Sequence, residues 1–157
     1  AGTLFARDEH PDRGPLEALR AGMKMMQSRC EPVYVTSCDV PLLQPAFVRH
    51  LLSLAEGFDA VVPQDGEFCH PLSAVYRTNL PGRIEEQLAV DQLRPTTLVQ
   101  CVATRFVSVD ELRVSDPELQ TLRNLNHPAD YAAALRSAGF EISPDIAAAL
   151  GLEPKSS

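Results

Sequence analysis

The stretch Pro32–Leu43, PVYVTSCDVPLL, constrains this chain more than any other. Val33, Tyr34, Val35 and Thr36 form a β-branched and aromatic run without polar alternation, the pattern of a strand buried on both faces of a parallel sheet. The run leads to Asp39, and Pro41, having no amide to donate, forbids the strand to continue. In open α/β sheets ligands bind beyond the carboxyl ends of the strands, so this register presents Asp39 to a ligand. An Asp at that place can also serve as a cap for the turn or helix that follows.

The neighbours of Asp39 sort the chemistry. A Walker-type NTPase needs a glycine-rich loop ending in Lys and Ser or Thr, and the chain has none. An Asp-x-Asp phosphatase needs a second carboxylate where Pro41 stands. The order of strand, Cys38, Asp39, hydrophobe and Pro41 resembles the metal-binding Asp of nucleotidyltransferases, which work on an NTP with Mg²⁺.

At 157 residues the chain fits one domain, 1–157, with Ser143–Ser157, Ala-rich and then polar, reading as a loosely attached tail. With 45% hydrophobic residues and no long apolar stretch, the chain shows no signal or transmembrane segment and is expected in the cytoplasm. Lys plus Arg number 14 against 21 Asp plus Glu, and the net charge of −7 argues against a nucleic-acid or anionic-membrane surface. Cys30, Cys38, Cys69 and Cys101 are scattered without a C-x-x-C pair, so reduced, mostly buried thiols are expected.

Along the chain, Thr3–Ala6 reads as the end of a short strand, followed by a polar loop, Arg7–Arg13. Gly14-Pro15-Leu16 then opens a helix whose stripe Leu16, Leu19, Met23 and Met26 faces the sheet, while Glu17, Arg20, Lys24 and Gln27 lie elsewhere. Its N-terminus is expected at the same rim as Asp39. A second helix is expected over Pro45–Glu56, with Phe47, Val48, Leu51, Leu52 and Ala55 inward and Gly57 ending it. A buried strand at Ala60–Pro63, a turn at Gln64–Glu67 and an extended segment at His70–Tyr76 follow. Leu80, Ile84 and Leu88 mark a third helix that breaks off before Pro95. Cys101–Val109 reads as an outer strand, Asp116–Arg123 as a short helix, and Pro128 opens a last helix with Tyr131, Ala132 and Leu135 inward. The pattern is that of a single three-layer α/β domain.

Three stretches, in this order, give the chain a family likeness: Asp8 through Gly14-Pro15-Leu16; Cys38-Asp39-Val40-Pro41; and His70-Pro71-Leu72 followed by Asn124-Leu125-Asn126-His127-Pro128-Ala129-Asp130-Tyr131. Together they resemble the molybdenum cofactor guanylyltransferases, nucleotidyltransferases with a Rossmann-like, mostly parallel α/β/α sheet. The resemblance implies attack by the terminal phosphate of Mo-bound molybdopterin on the α-phosphorus of GTP, with pyrophosphate released. It implies that Asp39 is the catalytic, Mg²⁺-holding residue. Asp8 would be a nucleotide-side contact, with Gly14, Pro15 and Leu16 forming the loop beside the nucleotide. His70, Pro71 and Leu72 would help form the acceptor side, and Asn124 and Asn126 would close over the metal end. Each also has an ordinary reading: His70 as a strand-edge histidine, Asn126 as a cap for the helix at Pro128, and Arg7 and Arg13 as solvated surface. Partners would be the small molecules GTP and molybdopterin, with contacts to molybdoenzymes or other cofactor-biosynthesis proteins.

One departure is large. The family's N-terminal strand and glycine-rich loop with Arg and Lys, which wrap the GTP phosphates, have no match here; the glycines near the start are Gly2 and Gly14. The chain therefore reads as an N-terminally shortened piece, expected to be inactive alone. Two alternatives stay open: an NTP transferase with another base or acceptor, such as a cytidylyltransferase or sugar-phosphate nucleotidyltransferase, or a non-catalytic nucleotide-binding or interaction module.

Overall fold

Val61 and Val62, adjacent on one strand, point to opposite faces of the central sheet and are both wholly buried, so helices must cover the sheet on each side. The computed structural model describes residues 2–151. On one face, α1 (Gly14–Met26), α3 (Pro81–Ala89) and α4 (Pro95–Cys101) pack Leu16, Met23, Ile84 and Leu98 over Val62 and Tyr76. On the other, α2 (Pro45–Ser53) and the short α5 (Val109–Leu112) pack Phe47, Leu51 and Leu112 over Val61, Val75 and Val107. The three-layer α/β arrangement expected from the sequence is formed.

The strands are β1 (Pro32–Thr36), β2 (Ala60–Asp65), β3 (Phe68–Cys69), β4 (Ser73–Arg77) and β5 (Thr104–Ser108). β1 pairs antiparallel with β4, β4 antiparallel with β2, and β2 parallel with β5, while β3 folds back on the end of β2. β1, β2 and β5 therefore run in one direction with β4 reversed between β1 and β2. The carboxyl ends of those three strands and the start of β4 share one rim.

Several expectations need correction. β1 is not an inner strand of a parallel sheet: it is the outermost strand, and antiparallel β4 is its one ladder partner among the described residues. Its apolar run has a different cause, since Tyr34 packs on the α2 face and Val35 on the α1 face, so two covered faces imitate two paired edges. Thr3–Ala6 forms no strand, and Phe5 is 84% exposed. The second helix ends at Ser53 rather than Glu56, with Leu52 turned outward. Pro95 starts a helix, α4, that the sequence reading omitted, occupying the first-turn position where a missing amide costs nothing. The helix expected over Asp116–Arg123 is only a 3-10 turn, Gln120–Leu122. In α6 (Pro128–Ser137) the buried residues are Ala132 and Ala134, while Tyr131 is exposed. The expected tail forms α7 (Pro144–Ala149), which buries no residue, and the tail's last residues, 152–157, lie outside the described residues. All four cysteines are free, two half-buried and two, Cys38 and Cys101, exposed. No helix among the described residues is long and apolar enough to cross a membrane.

Candidate functional site

Because β1 stops at Thr36 and Pro41 can join no ladder, the segment Ser37–Leu43 leaves the sheet at the rim and carries Asp39 with it. Two backbone hydrogen bonds fix this segment. The Ser37 N–H donates to the Leu72 carbonyl at 3.2 Å, and the Leu125 N–H donates to the Asp39 carbonyl at 2.9 Å. Asp39 is half-buried, and its Oδ1 is buried with no hydrogen-bond partner among the described residues. A carboxylate oxygen left so costs on the order of 1–3 kcal/mol or more unless something outside the protein meets it.

That orphaned oxygen fits a divalent cation. Mg²⁺ takes hard oxygen ligands and is commonly held by one or two carboxylates, with phosphates and water completing its shell. No group of three or more His, Cys, Asp or Glu side chains able to hold a metal occurs among the described residues, so Asp39 would share the ion with substrate oxygens rather than enclose it in a protein cage.

The turn His70-Pro71-Leu72 forms the adjoining wall. The His70 N–H donates to the Pro63 carbonyl at 2.9 Å, the Ser73 N–H donates to the His70 carbonyl at 3.1 Å, and the Tyr76 hydroxyl donates to the Pro71 carbonyl at 2.7 Å. The His70 ring stands edge-on to Phe68, with centroids 5.0 Å apart. Burial pushes the His70 imidazole below its ordinary pKa, opposed in part by the charge of Asp65. Neutral imidazole is therefore its form at neutral pH.

A third segment reaches the rim from downstream. Asp116, 2% exposed, accepts the N–H groups of Gln120 at 3.0 Å and Thr121 at 2.8 Å. The Thr121 hydroxyl oxygen in turn accepts the Gln44 N–H at 2.9 Å at the start of α2. This bolt delivers Leu125 to Asp39, with Asn124 and Asn126 flanking it as exposed side chains. Asn126 does not cap α6: His127 holds the cap position, its N–H donating to the Asp130 carboxylate at 3.0 Å. Nothing in the residue pattern singled out Asp116, since one Asp before a polar stretch has the look of surface.

The N-terminus of α1 comes to the same rim. Pro15, Ser37 and Leu72 line one groove of about 520 Å³ that continues down α1 to Met26 and along β1 to Val33. Gly14 there adopts φ +69°, a left-handed conformation that favours glycine. Leu16 does not suit the ligand role expected of it, because its side chain is wholly buried against the sheet. Asp8 is exposed, and the following residues turn to the α3 side of α1: Glu9 and His10 donate their N–H groups to Glu17, while Arg13 bonds to the Leu88 carbonyl and, at 3.1 Å, to Asp91. Among the described residues no hydrogen bond joins Asp8 to Asp39. Glu17 and Arg20, expected off the apolar stripe, are 0% and 1% exposed.

Comparison with known proteins places the chain in a family. Residues 1–104 match the family described as MobA-like NTP transferase domain. A protein of Methanosarcina mazei named probable molybdenum cofactor guanylyltransferase is 37% identical over 130 residues, covering 80% of this chain and 56% of that protein. One of Methanosarcina acetivorans with the same name is 34% identical over 138 residues, covering 85% and 60%. The solved structure of molybdopterin-guanine dinucleotide biosynthesis protein A from Archaeoglobus fulgidus superposes with a TM-score of 0.69 at 22% identity, covering 80% and 63%, and shares the fold. The chain thus spans between 56% and 63% of the length of these three proteins.

Proposed function

The chain belongs to the family of MobA-like NTP transferase domains, and from that premise we propose that it serves transfer of GMP from GTP to the terminal phosphate of Mo-bound molybdopterin, with release of pyrophosphate. The observation that carries this reading is the buried Oδ1 of Asp39, without a hydrogen-bond partner among the described residues, set at the rim where three parallel-running strands end.

Asp39 is the residue that would hold Mg²⁺, which when bound would neutralise charge on the nucleotide phosphates as the α-phosphorus is attacked. The chain's own work is positioning. The Leu125 amide and the Ser37–Leu72 hydrogen bond hold the Asp39 backbone from both sides, so its carboxylate meets the substrate without reorganising. The N-terminus of α1, a helix of 13 residues, supplies a positive dipole end for an anionic phosphate beside Pro15. His70, held neutral by burial, offers a hydrogen bond to the acceptor without adding charge. The same reading assigns the nucleotide side to Asp8, Gly14 and Pro15, the acceptor side to His70 and Pro71, and the closing segment to Asn124 and Asn126. It places the protein in the cytoplasm, with molybdoenzymes or other cofactor-biosynthesis proteins receiving the product.

The test is transfer from α-labelled GTP to molybdopterin by the protein as its gene encodes it, with Mg²⁺ and with CTP as competitor. Label appearing in a guanine dinucleotide, undiminished by CTP, is expected. Transfer from CTP in preference, or from neither nucleotide, overturns the reading.

A further inference from the structure

Beneath the loop that carries Asp8 lies a charge pair that the transfer reaction leaves unexplained. The Arg20 guanidinium donates through Nε to Glu17 Oε2 and through one Nη to Glu17 Oε1, both at 2.8 Å, a fork-to-fork pair with both side chains essentially out of water. Glu17 Oε1 also accepts the backbone N–H groups of Glu9 at 3.0 Å and His10 at 3.1 Å. The remaining reach of Arg20 goes to Glu9 and, on α3, to Glu85, each at 2.9 Å. Loop, α1 and α3 therefore meet at one ion pair.

The loop cannot set its own shape. Residues 8–13 contain no helix or strand, and two positions near their end, Asp12 at φ +64° and Gly14 at φ +69°, are left-handed. A non-glycine residue is strained there and persists only where its surroundings impose it. Arg13 supplies one such tie, to Leu88 and Asp91, at the helix end of the loop. At the Asp8 end the ties run to Glu17 and Arg20, and to Lys24 through Glu9. A buried ion pair adds little net stability over apolar residues of similar volume, because desolvation consumes most of the attraction. Stability therefore leaves this pair without a reason, whereas placing a loop supplies one.

We propose that Glu17 and Arg20 are positioning residues for nucleotide binding: their buried pair fixes loop 8–13 against α1 and so sets Asp8 and the N-terminus of α1 in one geometry. This rests on the reading of that loop as the nucleotide side of the site. The pair touches no reacting atom; it acts through the Glu9 and His10 amides.

The experiment compares the protein as its gene encodes it with a double variant, Glu17→Leu/Arg20→Met, which removes both charges at similar volume. Amide hydrogen exchange and GTP·Mg²⁺ titration are read on each. The expected result is a thermal midpoint unchanged or raised, exchange protection lost at Glu9 and His10 but kept at Ile84 and Leu88, and GTP affinity weakened about tenfold or more with a smaller change in kcat. Wild-type protection at the two loop amides, or wild-type GTP affinity, in the folded double variant overturns the proposal. Should the double variant fail to fold, Glu17→Gln decides: affinity and loop protection equal to wild type in that variant overturn it as well. If the unaltered protein binds no GTP at all, the proposed function has failed by itself, and the exchange measurement still decides whether the pair holds the loop.

Discussion

The amide of Leu125 donates to the carbonyl of Asp39 at 2.9 Å, so the backbone of the half-buried rim carboxylate is held by a segment that follows all five described strands in the chain. That bond fixes the backbone and leaves the side chain free. The division explains how Asp39 can be both rigid and available.

Replacing Asp39 by Asn keeps the shape of the side chain and removes its charge. Turnover of the protein as its gene encodes it should fall on the order of a hundredfold or more, since positioned charge is the main resource in phosphoryl chemistry. The thermal midpoint should hold or rise, because a neutral amide costs less to bury than a carboxylate whose Oδ1 has no hydrogen-bond partner among the described residues. Steady-state kinetics beside a melting curve checks both halves, and near-wild-type turnover would remove Asp39 from the mechanism.

Gly14→Val should act through backbone strain, not through crowding. A Cβ built there meets only the Leu93 carbonyl, at an ordinary 3.9 Å, but φ +69° is costly for a β-branched residue. Nucleotide affinity should drop further than stability, because the helix end beside Pro15 is what the strain displaces. Equal losses in melting temperature and in calorimetric affinity would reduce Gly14 to a helix start.

Acid should release loop 8–13 in a definite window. The bonds from Arg20 hold the Glu17 carboxyl down to about 2, assisted by the His10 and Glu9 amides and opposed by burial. A depressed folded pKa means that the stabilisation is complete above the unfolded value of about 4.3 and is lost as pH falls from there toward the folded value. Glu9, also held low by Lys24 and Arg20, titrates in the same direction. The Glu17→Gln variant should be less stable than wild type at pH 7, with the gap closing as pH falls from about 4.3. Urea unfolding across that range reads it, and a gap independent of pH would contradict the assignment.

The 157-residue chain taken alone should bind GTP·Mg²⁺ weakly. Its sequence contains no glycine-rich loop closing on Lys, Arg13 is engaged with Leu88 and Asp91, Arg20 with Glu17, and the net charge is −7. Several phosphate charges would then meet Asp39 with Mg²⁺ as the main compensation. A calorimetric dissociation constant on the order of a micromolar or below would show that the phosphate site needs no further cationic loop.

Much of the fold was legible because its signals are local. Phe47 and Leu51 on α2, and Leu16, Leu19 and Met23 on α1, declare their inward faces by spacing, and Pro41 marks where β1 must end. α4 was hidden because Thr96 and Thr97 read as strand formers, while Pro95 reads as a breaker although it is also a favoured first helical residue. Glu17 and Arg20 were illegible for a deeper reason: a charge on a helix reads as solvated face, and only the tertiary approach of Glu9, His10 and Glu85 makes a buried pair tolerable. Asp39 could be read as a rim carboxylate and 124–126 as a segment closing over it, but the ties that carry that segment there could not, since Asp116 and Thr121 find their partners only in three dimensions.

The interposed β4 also sets the pace at which such a chain can mature. Even the nearest β1–β4 pair joins Thr36 to Ser73, and β2 meets β5 through pairs such as Ala60 and Thr104, so the helices can form early while the sheet waits on encounters between distant parts of the chain. Until then Val61, Val62 and Val75 are uncovered on both faces of an incomplete sheet. During synthesis β1 emerges well before its partner, and Asp39 gains its fixed place only when Leu125 has arrived, which makes a competent rim one of the last features of folding.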